Sequence, residues 1–241
     1  MAKFCSHFVR PKPLATLMTV LAVALCLAAG TWQVQRLLWK RGVIADIAAA
    51  NQQPALTTLP NDTCELKALQ FRRVALQGRW QHPTTEFHLA PRYYKNQFGY
   101  AVLSPFTLED GRVVLVNRGW VPAEKKSLET RPQTTLPRGK VRVEGMLRVG
   151  AERSYFTPQN QPQKNIWFGR DVEAMAEASG IGAVVPAMVD AVGVQDSAHL
   201  PVPSDGTIRL RNDHLSYVIT WYGLALAALV IFLLAHRNKN G

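Results

Sequence analysis

The sequence predicts an α+β protein in which two transmembrane helices flank one β-rich domain, on three observations. Residues 14–32 and 217–235 are each 19 residues long and contain no Asp, Glu, Lys or Arg. Between them, apolar and polar residues alternate with a period of two at several places, the mark of half-buried strands. Only one or two helices are signalled there. At about 1.5 Å per residue, each apolar run reaches roughly 28 Å, close to the thickness of a bilayer's hydrocarbon core. The mean hydropathy of −0.05 therefore averages two different materials. A purely soluble globular protein and a many-helix channel are both excluded. The expected order is a tail at 1–13, a span at 14–32, a domain at 33–216, a span at 217–235 and a tail at 236–241.

The first apolar run follows Lys3, Arg10 and Lys12, and Ala22-Val23-Ala24 resembles a signal-peptide cleavage site. The run continues past those alanines to Trp32, longer than such a segment needs, so an uncleaved anchor is expected. Leu37, Leu38, Ile44 and Ala48 extend the helix at near-helical spacing until Pro54 stops it, and residues 54–62 read as a loop. Val74, Leu76, Gly78 and Trp80 then alternate with Arg73, Gln77 and Arg79, which is a strand. Residues 100–108 and 112–117 flank Glu109-Asp110-Gly111, and Asp-Gly signals a hairpin. Along 140–149, Val141, Val143, Leu147 and Val149 oppose Lys140, Arg142, Glu144 and Arg148. Asp171 can cap a helix whose apolar face is Val172, Met175 and Ala176, with Gly180 at its C-terminal cap. Short strands are expected near 183–189 and 207–211. The domain then reads as an antiparallel sheet with one or two helices.

The chain carries 28 Lys+Arg against 17 Asp+Glu, a formal net charge of +11. Residues 33–216 hold 23 of the bases and all 17 acids, a net +6 spread along the chain. Without a run of five or six bases or a base-stacking motif, no nucleic-acid partner is expected. Basic residues near the spans divide evenly between the tails and the domain side (Arg36, Lys40, Arg41, Arg209, Arg211), so charge leaves the orientation open. Cys5, Cys26 and Cys64 form no CxxC, which argues against thiol oxidoreductase or Cys-based copper chemistry. The G-x-S-x-G, H-E-x-x-H, P-loop and G-x-G-x-x-G signatures are missing, so no enzyme is expected; a hydrolase assembled from two carboxylates is an alternative without a motif.

Chemistry-bearing residues cluster at one membrane edge. The first span exits through Gly30-Thr31-Trp32-Gln33-Val34-Gln35-Arg36, and the second enters through Asn212-Asp213-His214-Leu215-Ser216-Tyr217. In a helical hairpin these segments share one depth. His214, Tyr217 and Trp221 fall at i, i+3 and i+7, one stripe of a helix. Each has an ordinary reading: Trp32, Tyr217, Trp221 and Tyr222 as an interfacial aromatic belt, Arg36 as a snorkelling cation, and His214 as a solvated helix-entry residue. Ser216, Thr220, Gly223 and Ala227 are small enough to let two helices approach. The functional reading is a haem site, because a neutral imidazole nitrogen ligates iron and Arg36, Arg209 or Arg211 can pair with propionates.

At this point the chain resembles the SURF1 family of cytochrome c oxidase assembly proteins, bacterial branch, over nearly its whole length. The blocks that carry the resemblance are Gly30-Thr31-Trp32-Gln33-Val34-Gln35-Arg36-Leu37-Leu38-Trp39-Lys40, Phe71-Arg72-Arg73-Val74 with Gly78, Gly99-Tyr100 and Leu103-Ser104-Pro105-Phe106. They continue as Gly111-Arg112 through Asn117-Arg118-Gly119-Trp120-Val121-Pro122, Pro158-Gln159-Asn160-Gln161-Pro162, Asn165-Ile166-Trp167-Phe168, and Asn212-Asp213-His214 through Tyr222-Gly223. The resemblance implies a multi-pass protein of the bacterial inner (plasma) membrane with both tails cytoplasmic and the domain periplasmic. It implies help in maturing a haem–copper terminal oxidase when haem a enters subunit I. Subunit I is then the main partner, haem a synthase a further one, and the lipid bilayer the solvent of the spans. On this reading haem a is a transient cofactor, with His214 as iron ligand, Tyr217, Trp221 and Trp32 as its walls and Arg36 steadying propionates. Arg118 and Trp120 would dock the oxidase; equally, Gly119 supplies an unusual φ and Trp120 packs in the core. Asn160-Gln161-Pro162 and Asn165-Ile166-Trp167 read as an ordered loop leading to the Asp171 cap. Asp213 stands where a neutral residue is expected, and its carboxylate can orient the His214 ring or pair with Arg211. The alternative from another class is a scaffold that docks on subunit I without touching haem.

Overall fold

The structure, a computed structural model, describes residues 12–81, 85–132, 136–150, 155–196, 199–207 and 212–237. Arg209, Arg211 and all but Thr207 of the strand expected at 207–211 lie outside these residues. The chain divides into a helical unit (residues 1–46 and 209–241) and a sheet unit (residues 47–208).

In the helical unit, α1 (Pro13–Gln52) is one unbroken helix of 40 residues, and α4 (His214–Ala235) has 22. Both are long and apolar enough to cross a membrane. The first run thus continues as helix well beyond Trp32, as its apolar spacing requires. The positions most withdrawn from the surface are Thr19, Val23, Cys26, Gly30, Gln33 and Leu37 on α1, and His214, Val218, Trp221, Ala225, Ala228 and Phe232 on α4. Both sets alternate steps of three and four, the spacing of a left-handed helix pair. Gly30 lets the helices close, since a Cβ there would lie 3.0 Å from the Tyr222 ring.

The sheet unit contains α2 (Thr63–Ala68), β1 (Arg73–Trp80), β2 (Phe87–Tyr94), β3 (Gln97–Leu108), β4 (Val113–Pro122), β5 (Val141–Val149), α3 (Val172–Ser179) and β6 (Val184–Ala191). The sheet order is β1-β5-β6-β4-β3-β2, and β1 also pairs with the end of β3. That extra pairing, Gly78 to Leu108 through Trp80 to Phe106, closes five strands into a small barrel and leaves β2 on the outer part of β3. All pairs are antiparallel except β4 with β6.

Alternation decides which residues fill the barrel. Val74, Leu76, Phe106, Val114, Val116, Val143, Leu147, Val149, Val185 and Val189 form the interior, capped by Leu59 and Leu66. The opposite face, with Leu103, Leu115 and Met188, is covered by Phe87, Leu89, Trp167, Val172 and Met175. α3 is held as its sequence predicts: Asp171 accepts from the Ala174 amide, and Gly180 takes a left-handed φ of 67°.

Two elements depart from the sequence reading. β2 contains Pro91, which cannot donate to a ladder, and its register shifts between Leu89 and Arg92, so no clean alternation announces it. α2 lies just beyond the expected loop, capped by Asp62, whose carboxylate accepts from the Glu65 amide. Single residues cover the remaining edges. Leu56 bridges β1 through its N–H to Arg73 O (2.9 Å) and its C=O from Ala75 N (2.8 Å). Trp167 bridges β2 through its N–H to His88 O (2.9 Å) and its C=O from Ala90 N (2.7 Å).

Candidate functional site

The helical unit brings Gln33 and His214, 181 residues apart, to one point of its seam. His214 Nδ1 lies 2.8 Å from Gln33 Oε1. An amide oxygen only accepts, so Nδ1 carries a proton, and in the neutral ring Nε2 is the nitrogen that keeps its lone pair. No hydrogen bond reaches Nε2 among the described residues. Gln33 is buried, with 9% of its surface exposed, although a polar residue at an apolar layer is costly unless paired. Two residues toward the α1 N-terminus, Thr31 Oγ1 and the Tyr222 hydroxyl are 3.2 Å apart.

The other expected site residues distribute by helical geometry. At 100° per residue, Trp32 and Arg36 fall about 100° and 60° to one side of Gln33, and Tyr217 falls about 60° to the corresponding side of His214. The helices run antiparallel, because Gln33 meets His214 while Thr31 meets Tyr222. Equal offsets of equal sign then lie on the same flank of the pair. Trp32 and Tyr217 are 58% and 55% exposed there, and the Arg36 guanidinium stacks 3.9 Å over the Trp39 ring. Trp221 is half-buried on the seam itself. The Nδ1 partner of the imidazole is Gln33, on the facing helix, rather than the neighbouring Asp213. An imidazole bound only through Nδ1, on a helix pair that also carries exposed aromatic rings and a guanidinium, is a donor set that fits haem.

The sheet unit holds Arg118 and Trp120 differently. Arg118 Nη1 donates to Glu86 Oε1 at 2.9 Å, and its side chain is 11% exposed. Burial lowers its pKa, and the Glu86 charge opposes that shift. The Trp120 ring lies 5.3 Å from the Tyr94 ring, and its Nε1 donates to Arg92 O. Gly119 between them has φ 133°, and a Cβ there would lie 2.1 Å from Val202 O. The strand does not end here as the sequence suggested: Gly119 lies inside β4, where the register against β3 shifts, and the tryptophan after it is packed.

Sequence reasoning passed over the buried ionic centre to which Arg118 belongs. Glu86 receives Arg118 on one oxygen and Arg131 Nη2 on the other, with side-chain exposures of 3% for Glu86 and 2% for Arg131. Arg131 also donates through Nε to Lys125 O (2.8 Å) and through Nη2 to Lys126 O (3.1 Å). Asn165, left-handed at φ 48°, donates to Glu86 O (2.6 Å) and accepts from Trp167 Nε1 (3.1 Å). The Asn165-Ile166-Trp167 block is therefore an ordered loop that locks this centre. His88 beside it is buried with neither ring nitrogen hydrogen-bonded, Nε2 lying 3.9 Å from Glu86 Oε2, and its pKa is lowered to about 4, first by burial, while Glu86 pulls the other way. The only signal in the sequence was the presence of charged residues in loops without periodicity.

The comparisons with known proteins agree with the motif blocks. The family model described as SURF1 family matches residues 20–226. Surfeit locus protein 1 of Rattus norvegicus is 36% identical over 212 residues, covering 82% of this chain and 68% of the relative. The human Surfeit locus protein 1 is 36% identical over 214 residues, covering 82% and 69%. A SURF1-like protein of Drosophila melanogaster is 35% identical over 218 residues, again covering 82% and 69%. With its terminal apolar helices, its closed β domain and the match across both, this chain belongs to the SURF1 family.

Proposed function

We propose that this chain is a membrane-anchored, non-enzymatic assembly factor for a cytochrome c oxidase of the haem–copper type, which receives haem a and holds it for subunit I. Family membership supports the assembly role. The observation that carries the haem role is the Gln33–His214 hydrogen bond, which engages Nδ1 and so leaves Nε2 as the ligating nitrogen of the neutral ring, on a helix whose flank carries Tyr217 and faces a partner carrying Trp32 and Arg36. In this reading His214 ligates the iron, Trp32, Tyr217 and Trp221 exclude water from the ring, and Arg36 pairs with a propionate. When bound, haem a supplies the redox-active iron centre that the oxidase requires. The spans lie in a bacterial inner membrane with both termini cytoplasmic and the domain periplasmic. Haem a synthase is the natural donor and subunit I the acceptor.

The test is co-expression with the haem a biosynthetic enzymes and purification of the full chain in detergent. A Soret band that is lost or shifted in His214→Ala supports the reading, and one that survives unchanged refutes the ligand assignment. A haem-independent scaffold has its own support, because a buried Gln33–His214 bond also pairs two helices. It predicts crosslinks to subunit I that persist without haem a and colourless purified protein.

A further inference from the structure

We infer that Gln33 is the positioning residue of the haem site: its amide oxygen fixes the His214 tautomer, and its neutrality keeps Nε2 a releasable ligand. The inference rests on the haem reading above and goes beyond it, because it concerns a residue that this reading gives no part as iron ligand, wall or propionate partner.

The geometry carries the first half. The 2.8 Å contact joins Nδ1 to an amide oxygen that is itself buried and has no competing donor among the described residues. An imidazole without this partner would share its proton between the two nitrogens, and the ring would rotate about χ2. With it, one nitrogen is committed and the other is aimed away from Gln33. The facing helix thus both selects the tautomer and sets the ring's orientation. Gly30 and Leu37 sit one turn on either side of Gln33 in the seam, so the amide's height against α4 is fixed by packing.

The second half follows from charge. A carboxylate accepting from Nδ1 lends imidazolate character and raises the basicity of the ligating nitrogen. A glutamine does so far less, because its oxygen carries only a partial charge. A carrier that must surrender its cargo gains from the weaker acceptor. Gln33 and Glu are nearly isosteric, so the same position could have held the stronger one.

The experiment uses the full chain in detergent micelles, with 15N-labelled histidine for the apo protein and haem a loaded by co-expression for the bound form. In the apo protein, 15N shifts of His214 show a single Nδ1–H tautomer. Gln33→Leu gives a tautomer mixture, and Gln33→Glu restores the single one. In the loaded protein, transfer of haem to excess apomyoglobin, read at the Soret band, is about 10- to 100-fold faster for Gln33→Leu, the range seen when the hydrogen-bond partner of a metal ligand is removed. Gln33→Glu transfers more slowly than wild type and has a lower midpoint potential. Should Gln33→Leu fail to insert or fold, the wild-type tautomer and the Gln33→Glu comparison still decide the matter. An Nε2–H tautomer in wild type, or transfer rates and potential unchanged in Gln33→Glu, overturns the inference. A haem band indifferent to His214→Ala overturns the haem reading instead, and with it the releasable-ligand half, while the apo tautomer still reports on the positioning half.

Discussion

Acidification should weaken the sheet unit through one buried histidine. His88 sits beside Glu86, Arg131 and Lys126 with neither ring nitrogen hydrogen-bonded, and burial lowers its pKa from 6.5 to about 4. Above pH 6.5 the ring is neutral in both the folded and the unfolded chain and contributes no pH slope. Between pH 6.5 and about 4 the unfolded chain binds a proton that the folded chain refuses, so stability falls as pH falls. A fall from 6.5 to about 4, at about 1.36 kcal/mol per pH unit, sets a ceiling of about 3–4 kcal/mol, a large share of the roughly 5–15 kcal/mol typical of a folded domain. The assay is thermal unfolding of the full chain in detergent, followed by near-ultraviolet circular dichroism from pH 7.5 to 4, for wild type and His88→Phe. Phenylalanine keeps the edge-on packing against Tyr100, whose ring centre is 6.0 Å away, and removes the titrating nitrogens. The variant should match or exceed wild type at pH 7, because two unsatisfied polar atoms are gone. Its curve should be flatter below pH 6.5. Parallel curves for the two proteins would refute the assignment of the slope to His88.

Three further outcomes follow from the packing. Glu86→Gln removes the buried carboxylate charge that faces both Arg118 and Arg131; a loss of about 3–5 kcal/mol is expected, read as a large drop in melting temperature and rapid proteolysis of the domain. Gly30→Leu pushes a branched side chain into the Tyr222 ring and should move the α1–α4 axes from the close toward the wide end of the usual 8–10 Å range. Spin-label distances across the pair would check this, and an unchanged distance would contradict the seam. Asp171→Ala removes the cap of α3 and should cost about 1 kcal/mol, visible as a melting shift of a few degrees without loss of the fold.

Legibility followed the reach of each interaction. β1 and β5 were readable because one face fills the barrel and the other meets water, which forces the period of two onto Val74–Leu76 and Val143–Leu147. The Asp110-Gly111 turn was readable because its chemistry is local: Gly111 has φ 86°, and Asp110 accepts from the Arg112 amide. β2 was hidden by Pro91 and a bulge, and by burial on both faces over its first four residues. α2 had a legible start in Asp62 and Glu65, but its single buried residue, Leu66, gives no period to detect. In the helical unit the motif blocks pointed to His214, Trp32 and Tyr217. They could not single out Gln33, whose role depends on a residue 181 positions away. The burial of Arg118 was not legible, because its partner Glu86 lies 32 positions upstream, outside any strand or repeat.

The Leu56 and Trp167 bridges bear on how such a protein survives while idle. An open strand rim is an invitation to a second copy, and the hazard grows when many copies share one two-dimensional surface. Here the ring closes on itself, Leu56 occupies the spare amides of β1, and Trp167 occupies those at Leu89 of β2. The Asn165-Ile166-Trp167 loop is, at Trp167, a selvedge: it finishes the cloth so that it does not ravel or knit to its neighbour.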